Sequence, residues 1–157
     1  VVKDMQGVEY QEEKDVQIDL NVSSYIPDEY IENTAQKIEV YQNIALSKNE
    51  EDIQDVIDEI TDRYGNIPKE LENLLDIARI KNLCKEKNII KITQKQNNIV
   101  FFFNINDFDT AIIDVLVKEY KDDIRFSPGA EPYITLKNKE EKAKVILKKA
   151  KEFLIKI

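Results

Sequence analysis

Residues 53–79 constrain the fold of this chain more than any other stretch, because they carry the pattern of two amphipathic helices joined by a well-marked turn. The hydrophobic side chains of the first helix recur three and four residues apart and form one stripe: Ile53, Val56, Ile57, Ile60 and Tyr64. Gly65 follows, where helices often end with a positive φ that suits glycine, and Pro68 suits the first turn of a new helix. The sequence therefore predicts a helical hairpin.

The second arm of the hairpin continues to about Lys87 and is apolar over more than half of its circumference. Its apolar residues are Leu71, Leu74, Leu75, Ile77, Ala78, Ile80, Leu83 and Cys84. A helix with so wide an apolar face is expected to be buried, so this arm is predicted to be the central helix, with neighbours packed on two sides. Cys84 is the only cysteine, and no histidine is available to activate it, so we interpret it as a buried structural thiol.

The exposed end of the first helix carries the candidate site. Glu59 and Asp62 lie three residues apart, and Arg63 lies four residues after Glu59. One interpretation is an ion pair on a solvated helix face, worth roughly 0.2–0.5 kcal/mol. The other is a partner-binding patch, because charged helix faces with an arginine are common at electrostatically matched interfaces. From the residues alone, the solvated ion pair is favoured.

Composition argues against catalysis by this chain. It has 157 residues without histidine, three glycines, no glycine-rich phosphate loop and no serine elbow. An enzyme would need a concave site with perturbed carboxylates, which sequence does not reveal. No catalytic, metal-binding or cofactor-binding residue is assigned. One cysteine and no long apolar run predict a soluble, cytoplasmic protein without a membrane partner. The chain does not begin with Met, so we expect a piece of a longer polypeptide.

The charge is unevenly distributed. Residues 1–62 carry 17 acids and 4 bases, whereas residues 137–157 carry 3 acids and 8 lysines. The acidic body argues against general nucleic-acid affinity. The lysines of the last stretch alternate with apolar residues at helical spacing, so a solvated helix face is favoured over a phosphate-binding track. Contact of this lysine-rich C-terminal helix with nucleic acid stays the alternative function.

The first half of the chain predicts one strand and three helices. Residues 1–15 are polar and acidic and are interpreted as a linker or disordered arm. Alternating apolar residues from Val16 to Val22 predict a strand. Asp28 is the predicted N-cap of a helix that ends near Ser47. The predicted buried side of that helix consists of Ile31, Ala35, Ile38, Tyr41 and Ala45.

The second half predicts the order ββαββα. Two β-rich runs around a QKQNN turn suggest a hairpin, and the second run ends in the three aromatics 101–103. A sheet covered on both sides is favoured over an aromatic platform for bases. A helix is predicted from Asp107 or Asp109, then strands near 124–126 and 133–136 around an SPGAEP turn, then a final helix over about 139–155.

The predicted fold class is α+β, in which the N-terminal strand and three helices pack with the ββαββα half in a small mixed or antiparallel sheet. Residues 16–157 are interpreted as a single domain. Its helical part covers about 28–88 and its sheet-rich part about 89–157.

About 90% of the chain resembles the C-terminal domain of bacterial transcription-repair coupling factors. The resemblance is carried by YIPDEYI (25–31), KIEVYQNIA (37–45), EITDRYGNIP (59–68) and LLDIARIK (74–81), in that domain's order and spacing. The half after Asn88 is similar in its pattern of elements more than in its residues. The resemblance implies a non-catalytic regulatory domain of a multidomain DNA translocase that acts in nucleotide excision repair.

In that family the domain packs against a UvrB-like module, hides the surface that UvrA needs and restrains the motor. The resemblance implies that Glu59, Asp62 and Arg63 form this polar contact. It also implies indirect partnership with UvrA, stalled RNA polymerase and DNA through the parent protein. ATP and magnesium would belong to the parent's motor domains, and no cofactor is expected in this fragment.

Overall fold

A computed structural model describes residues 15–157, and within that range the chain forms five helices and five strands. In chain order they are β1 (Gln17–Asp19), α1 (Thr34–Leu46), α2 (Glu50–Tyr64), α3 (Lys69–Glu86), β2 (Ile89–Lys95), β3 (Asn98–Phe103), α4 (Ala111–Tyr120), β4 (Ile124–Ser127), β5 (Tyr133–Leu136) and α5 (Ala143–Lys156). The predicted N-terminal arm lies outside the described residues except for Asp15. The single-domain assignment of residues 16–157 stays a prediction.

The five strands form one mixed sheet in the order β1-β2-β3-β5-β4. β1 pairs with β2 in parallel, and the other neighbouring strands are antiparallel. β2 and β3 form the predicted hairpin around a two-residue turn that begins at Gln96, where φ is 58°. The predicted α+β class, with a small mixed sheet, is confirmed.

Helix α3 is central, as predicted, because it contributes to two hydrophobic clusters. Leu71 and Leu75, in its first half, pack with buried side chains of α1 and α2. Ile80 and Cys84, in its second half, pack with the sheet and α5. The burial of Cys84 confirms its interpretation as a structural thiol. Because one helix joins both clusters, the hairpin is held in a fixed position relative to the sheet.

The aromatic run of β3 alternates between the two faces of the sheet. Phe101 and Phe103 are buried on the face that α3, α4 and α5 cover, and the Phe101 ring stacks on Phe153 of α5 at 3.9 Å between centroids. Phe102 points to the other side. The prediction that both faces are covered is wrong for the described residues, where helices pack on one face only. Phe102 is half-buried between its cross-strand neighbours Lys91 and Tyr133, without a second layer over it.

The first helix begins later than predicted. Its N-cap is Asn33, whose side chain accepts a hydrogen bond from the Gln36 amide, and the predicted cap Asp28 forms an ion pair with Lys37 instead. The buried face is formed by Val40 and Ile44, so the predicted face was wrong. Of the predicted residues, Ile31 is buried before the helix begins and Tyr41 is half-buried, whereas Ala35, Ile38 and Ala45 are exposed. Val40 and Ile44 pack in one hydrophobic cluster with buried residues of α2 and α3.

Two other helix boundaries also shift. Asp109 caps the chain just before α4 by accepting a hydrogen bond from the Ala111 amide at 2.9 Å, and Asp107 lies in a short 3₁₀ turn. The final helix begins at Ala143, four residues later than predicted. The strands predicted near 124–126 and 133–136 are confirmed as β4 and β5.

Candidate functional site

The candidate site lies at the C-terminal end of α2, where a glycine stops the helix. Gly65 has φ 90° and ψ −160°, and its amide donates a 2.9 Å hydrogen bond to the Thr61 carbonyl. Residues other than glycine rarely adopt this conformation. Pro68 then precedes the first residue of α3, and its carbonyl accepts hydrogen bonds from the Leu71 and Glu72 amides. The turn predicted from sequence is thus present.

Two tyrosines fix this helix end against the segment before α1 and against α1 itself. The Tyr30 hydroxyl donates to the Gly65 carbonyl at 2.7 Å and lies 3.3 Å from the Ile60 carbonyl. The Tyr64 hydroxyl donates to Gln36 Oε1 at 3.2 Å, and the two tyrosine rings lie 5.8 Å apart. Burial, and secondarily the neighbouring Tyr64, raise the pKa of Tyr30, so its hydroxyl keeps its proton for the hydrogen bond.

Glu59, Asp62 and Arg63, here called the α2 tip, are all exposed on this fixed helix end. Arg63 Nη1 lies 3.8 Å from Glu59 Oε1, with side-chain exposures of 42% and 52%, and the Arg63 guanidinium lies 5.2 Å from the Tyr64 ring centre. An ion pair this long and this exposed contributes little stability. Asp62 forms no ion pair with another described residue. The structure therefore brings the three predicted residues together and leaves their charges available to a partner.

The tip combines two signs of charge in a way that the rest of α2 does not. The 15 residues of α2 carry seven acids, and Arg63 is the only base among them. A partner that meets the tip would therefore have to present a cation to the acidic face and a carboxylate to Arg63. Such a mixed pattern favours a specific protein contact over general attraction to a positive surface.

A second cluster of charges, which sequence analysis did not find, connects three helices. The Arg79 guanidinium forms three hydrogen bonds to Glu50 of α2, from Nε at 2.8 and 3.2 Å and from Nη2 at 3.0 Å, and one to Asp76 at 2.9 Å. Lys151 of α5 also donates to Asp76, at 3.0 Å. The Glu50 hydrogen bond is the main reason that the pKa of Arg79 is raised. No sequence signal marks these partners, because 29 residues separate Arg79 from Glu50 and 75 separate Lys151 from Asp76.

Several lysines of the C-terminal stretch are already engaged within the domain. Lys149 donates to Asn138 Oδ1 at 2.9 Å, Lys151 pairs with Asp76, and Lys156 lies 3.4 Å from Glu119. A phosphate-binding helix needs cations that are free to replace counterions. Nucleic-acid contact by this helix stays a prediction, and these pairs weaken the case for it.

A cavity of about 850 Å³ lies where β1 enters the sheet. Cys84, Ile89 and Phe103 line its inner side, and Asp107 and Glu131 are among its outer residues. Burial raises the pKa of Cys84 to about 12, so its thiol is not a nucleophile near neutral pH. Between residues 15 and 157, no cluster of three cysteines or carboxylates is arranged to hold a metal. None of the described helices is long and apolar enough to cross a membrane.

Comparisons with known proteins point to one family. A family model described as the TRCF domain matches residues 20–112. The chain is 36% identical over 112 residues to the transcription-repair-coupling factor of Rickettsia prowazekii. The aligned region covers 71% of the chain and 10% of that protein. It is 28% identical over 137 residues to the transcription-repair-coupling factor of Borreliella burgdorferi. That alignment covers 85% of the chain and 12% of the relative. The chain thus spans about a tenth of the length of these relatives.

A solved structure has the same fold. The crystal structure of a C-terminal domain of transcription-repair coupling factor superposes with a TM-score of 0.80 at 20% sequence identity. The superposition covers 91% of this chain and 92% of that one. At this identity the similarity establishes the fold, including the arrangement of the helical hairpin against the sheet.

Proposed function

The chain belongs to the TRCF domain family and is a C-terminal domain of a transcription-repair coupling factor, and on that basis we propose that it is a non-catalytic regulatory domain. In this proposal the α2 tip packs against the UvrB-like module of the same parent protein, masks the UvrA-binding surface and restrains the DNA translocase. Engagement of stalled RNA polymerase releases the contact. The domain acts in the cytoplasm and needs no cofactor of its own, since ATP and magnesium serve the parent's motor.

One observation supports the proposal most directly: tertiary hydrogen bonds position the backbone of the α2 tip, while its charges are only weakly paired. The tyrosine contacts to Gly65 and Gln36 hold the helix end in place. Because the Glu59 to Arg63 pair is long and exposed, little energy is lost when these side chains turn to a partner. A positioned backbone with weakly paired charges is the arrangement expected of a polar contact that must form and also release.

The energy required of such a contact is modest. A domain tethered to its partner meets it at an effective concentration of about 1 mM. A Kd of roughly 10 μM, equivalent to about −6.8 kcal/mol, then keeps about 99% of molecules closed. A few charge pairs with a small apolar contact supply this energy. We therefore expect only micromolar binding when the two modules are separate molecules.

The test is a calorimetric titration of this domain into the isolated UvrB-like module of its own parent. Wild type is expected to bind with a Kd of roughly 10 μM, and the double variant Asp62→Lys, Arg63→Glu is expected to lose this binding. The double variant Asp114→Lys, Lys118→Glu is a matched control, because it makes the same two charge changes on the exposed side of α4. The control is expected to bind like wild type.

Two results would contradict the proposal. Absence of wild-type binding at about 1 mM would mean that the fold is shared with the family while the inhibitory contact is not. A fall in the free energy of unfolding of the tip variant, beyond that of the α4 control, would mean that the tip residues support the fold instead of a partner. Unfolding by urea is therefore measured on all three proteins.

A further inference from the structure

The face of the sheet opposite the helices carries an ordered set of side chains, here called the open sheet face. Strand pairing places Lys91, Phe102, Tyr133 and Ser127 in one row across β2, β3, β5 and β4. The next row contains Thr93, Val100, Thr135 and Arg125. No helix of residues 15–157 packs on this face, and Phe102, Val100 and Tyr133 are absent from the hydrophobic cluster that the helices form with the sheet. Phe102 and Tyr133 are half-buried, whereas Val100 is only 5% exposed.

The centre of the open sheet face is aromatic and partly exposed. The Phe102 and Tyr133 rings lie side by side on adjacent central strands, with centroids 5.2 Å apart and planes at 40°. Lys91 Nζ lies 4.5 Å from the Phe102 ring centre, so a cation stands beside the rings. Two aromatic rings on neighbouring inner strands offer stacking surfaces that any base can use.

The charges on this face are predominantly positive. Lys91, Lys95 and Arg125 lie on it, and Asp19 on the edge strand β1 is its only acid among the paired residues. Lys95 and Arg125 are exposed, and neither forms an ion pair with another described residue. Three cations against one acid on the edge strand favour an anionic ligand on this face.

Hydroxyl groups complete the open sheet face. Thr93 and Thr135 flank Val100 in the row beside the rings, and Ser127 and the Tyr133 phenol lie in the aromatic row itself. A hydroxyl both donates and accepts hydrogen bonds, which matches the ribose 2′-hydroxyl of RNA. Among the paired residues of the inner strands β2, β3 and β5, none on this face is a carboxylate. Phosphates are therefore not repelled beside the two rings.

We propose that the open sheet face binds single-stranded RNA. Bases stack on Phe102 and Tyr133, the cations at positions 91, 95 and 125 pair with phosphates, and the threonine hydroxyls contact the ribose. This surface is separate from the α2 tip and from the lysines of α5, so its function is independent of the contact with the UvrB-like module. Stacking on the rings contributes to affinity. The preference for particular bases is weak, because every base can stack on an aromatic ring.

The test is fluorescence anisotropy with a labelled 15-nucleotide uridine RNA at about 50 mM salt. The 157-residue chain is expected to bind with a Kd between about 1 and 100 μM, and with a salt slope near −2, as for about three phosphate contacts. Phe102→Leu and Tyr133→Leu are each expected to weaken binding about tenfold. Arg125→Glu is expected to weaken binding and to flatten the salt slope. The 15-nucleotide thymidine DNA is expected to bind more weakly than the RNA.

Lys148→Glu on α5 is the matched control for Arg125→Glu, because it reverses an exposed charge on the helical side of the sheet. It is expected to change binding by less than about twofold. The proposal is overturned if the wild-type chain does not bind at about 1 mM protein, if the control loses binding as much as the open-face variants do, or if the DNA binds as tightly as the RNA. Competition by an oligoglutamate peptide as strong as that by unlabelled RNA would also overturn it, because a general anion site would then explain the binding.

Discussion

The hydroxyl of Tyr30 donates a 2.7 Å hydrogen bond to the carbonyl oxygen of Gly65, 35 residues further along the chain. This bond joins the segment before α1 to the turn after α2, so the position of the α2 tip depends on residues outside its own helix. The adjacent Tyr64 ring, 5.8 Å away, completes the support. The residues that are proposed to contact the partner are therefore presented by a tertiary contact and not by the helix alone.

Tyr30→Phe is expected to lower the free energy of unfolding by about 1 kcal/mol, because the ring remains in place while the hydroxyl is lost. The measurement is urea unfolding followed by circular dichroism. Tyr25→Phe is the matched control, since Tyr25 is 48% exposed and is expected to change stability by less than about 0.5 kcal/mol. Equal effects of the two substitutions would show that the Gly65 contact contributes nothing.

Gly65→Ala and Gly65→Asn are both expected to destabilise the domain by about 1–2 kcal/mol. A Cβ atom at position 65 would meet no neighbouring atom within 4 Å, so the cost comes from backbone strain and not from a clash. Asparagine tolerates the left-handed helical conformation, but the ψ of −160° lies outside that region. Urea unfolding of both variants tests this expectation. A nearly neutral Gly65→Asn variant would mean that this residue adopts a left-handed helical conformation in solution.

Arg79→Lys is expected to lower the free energy of unfolding by about 1–2 kcal/mol, although the charge is kept. A lysine cannot reproduce the two parallel bonds to Glu50 together with the bond to Asp76. Arg63→Lys is the matched control, because its ion pair is 3.8 Å long and exposed, and a change of less than about 0.5 kcal/mol is expected there. The decrease in the free energy of unfolding caused by Arg79→Lys should become smaller as salt is added. A decrease that does not depend on salt would mean that packing, and not charge, is responsible.

The buried thiol of Cys84 predicts a stability loss at high pH. Its pKa is raised from 9.0 to about 12 by burial, so the unfolded chain releases this proton at a lower pH than the folded chain does. Its contribution is therefore complete below about pH 9 and decreases as the pH rises toward 12. Between about pH 7 and pH 10 the expected loss is on the order of 1 kcal/mol.

Cys84→Ala isolates this contribution. The variant is expected to lose less stability than wild type between about pH 7 and pH 10, although it is less stable at pH 7. Some pH dependence remains in the variant, because burial also raises the pKa values of Tyr30 and Tyr120. These two tyrosines therefore also lower the stability as the pH rises. Identical pH dependence in the two proteins would contradict the burial of the thiol.

Local patterns were sufficient where each residue's environment is set by its neighbours in sequence. The stripe from Ile53 to Tyr64 predicted α2, and the positive φ of Gly65 followed from its position after that stripe. The strand at 133–136 and the turn of the β2–β3 hairpin were also predicted from their own residues. The proximity of the three α2 tip residues was also predictable from sequence, because residues three and four apart on a helix share a face.

Patterns failed where other elements decide which side chains are buried. In α1 the spacing predicted a face that includes Ile38, whereas packing against α2 and α3 buries Val40 and Ile44 and leaves Ile38 51% exposed. In β3 the run 101–103 predicted that both sheet faces are covered, whereas Phe102 is only half-buried among its cross-strand neighbours. Neither choice can be decided within a window of about ten residues, since the deciding atoms belong to other elements.

Spacing along the chain was enough to determine the helical hairpin, the α+β class and the charges at the end of α2. Tertiary packing decided what supports that helix end, which charges join α2, α3 and α5, and which face of the sheet stays uncovered. Tyr30 and Gly65, Glu50 and Arg79, and Asp76 and Lys151 are 35, 29 and 75 residues apart. Contacts at such separations depend on how the elements pack, and packing is not encoded in any single periodic pattern.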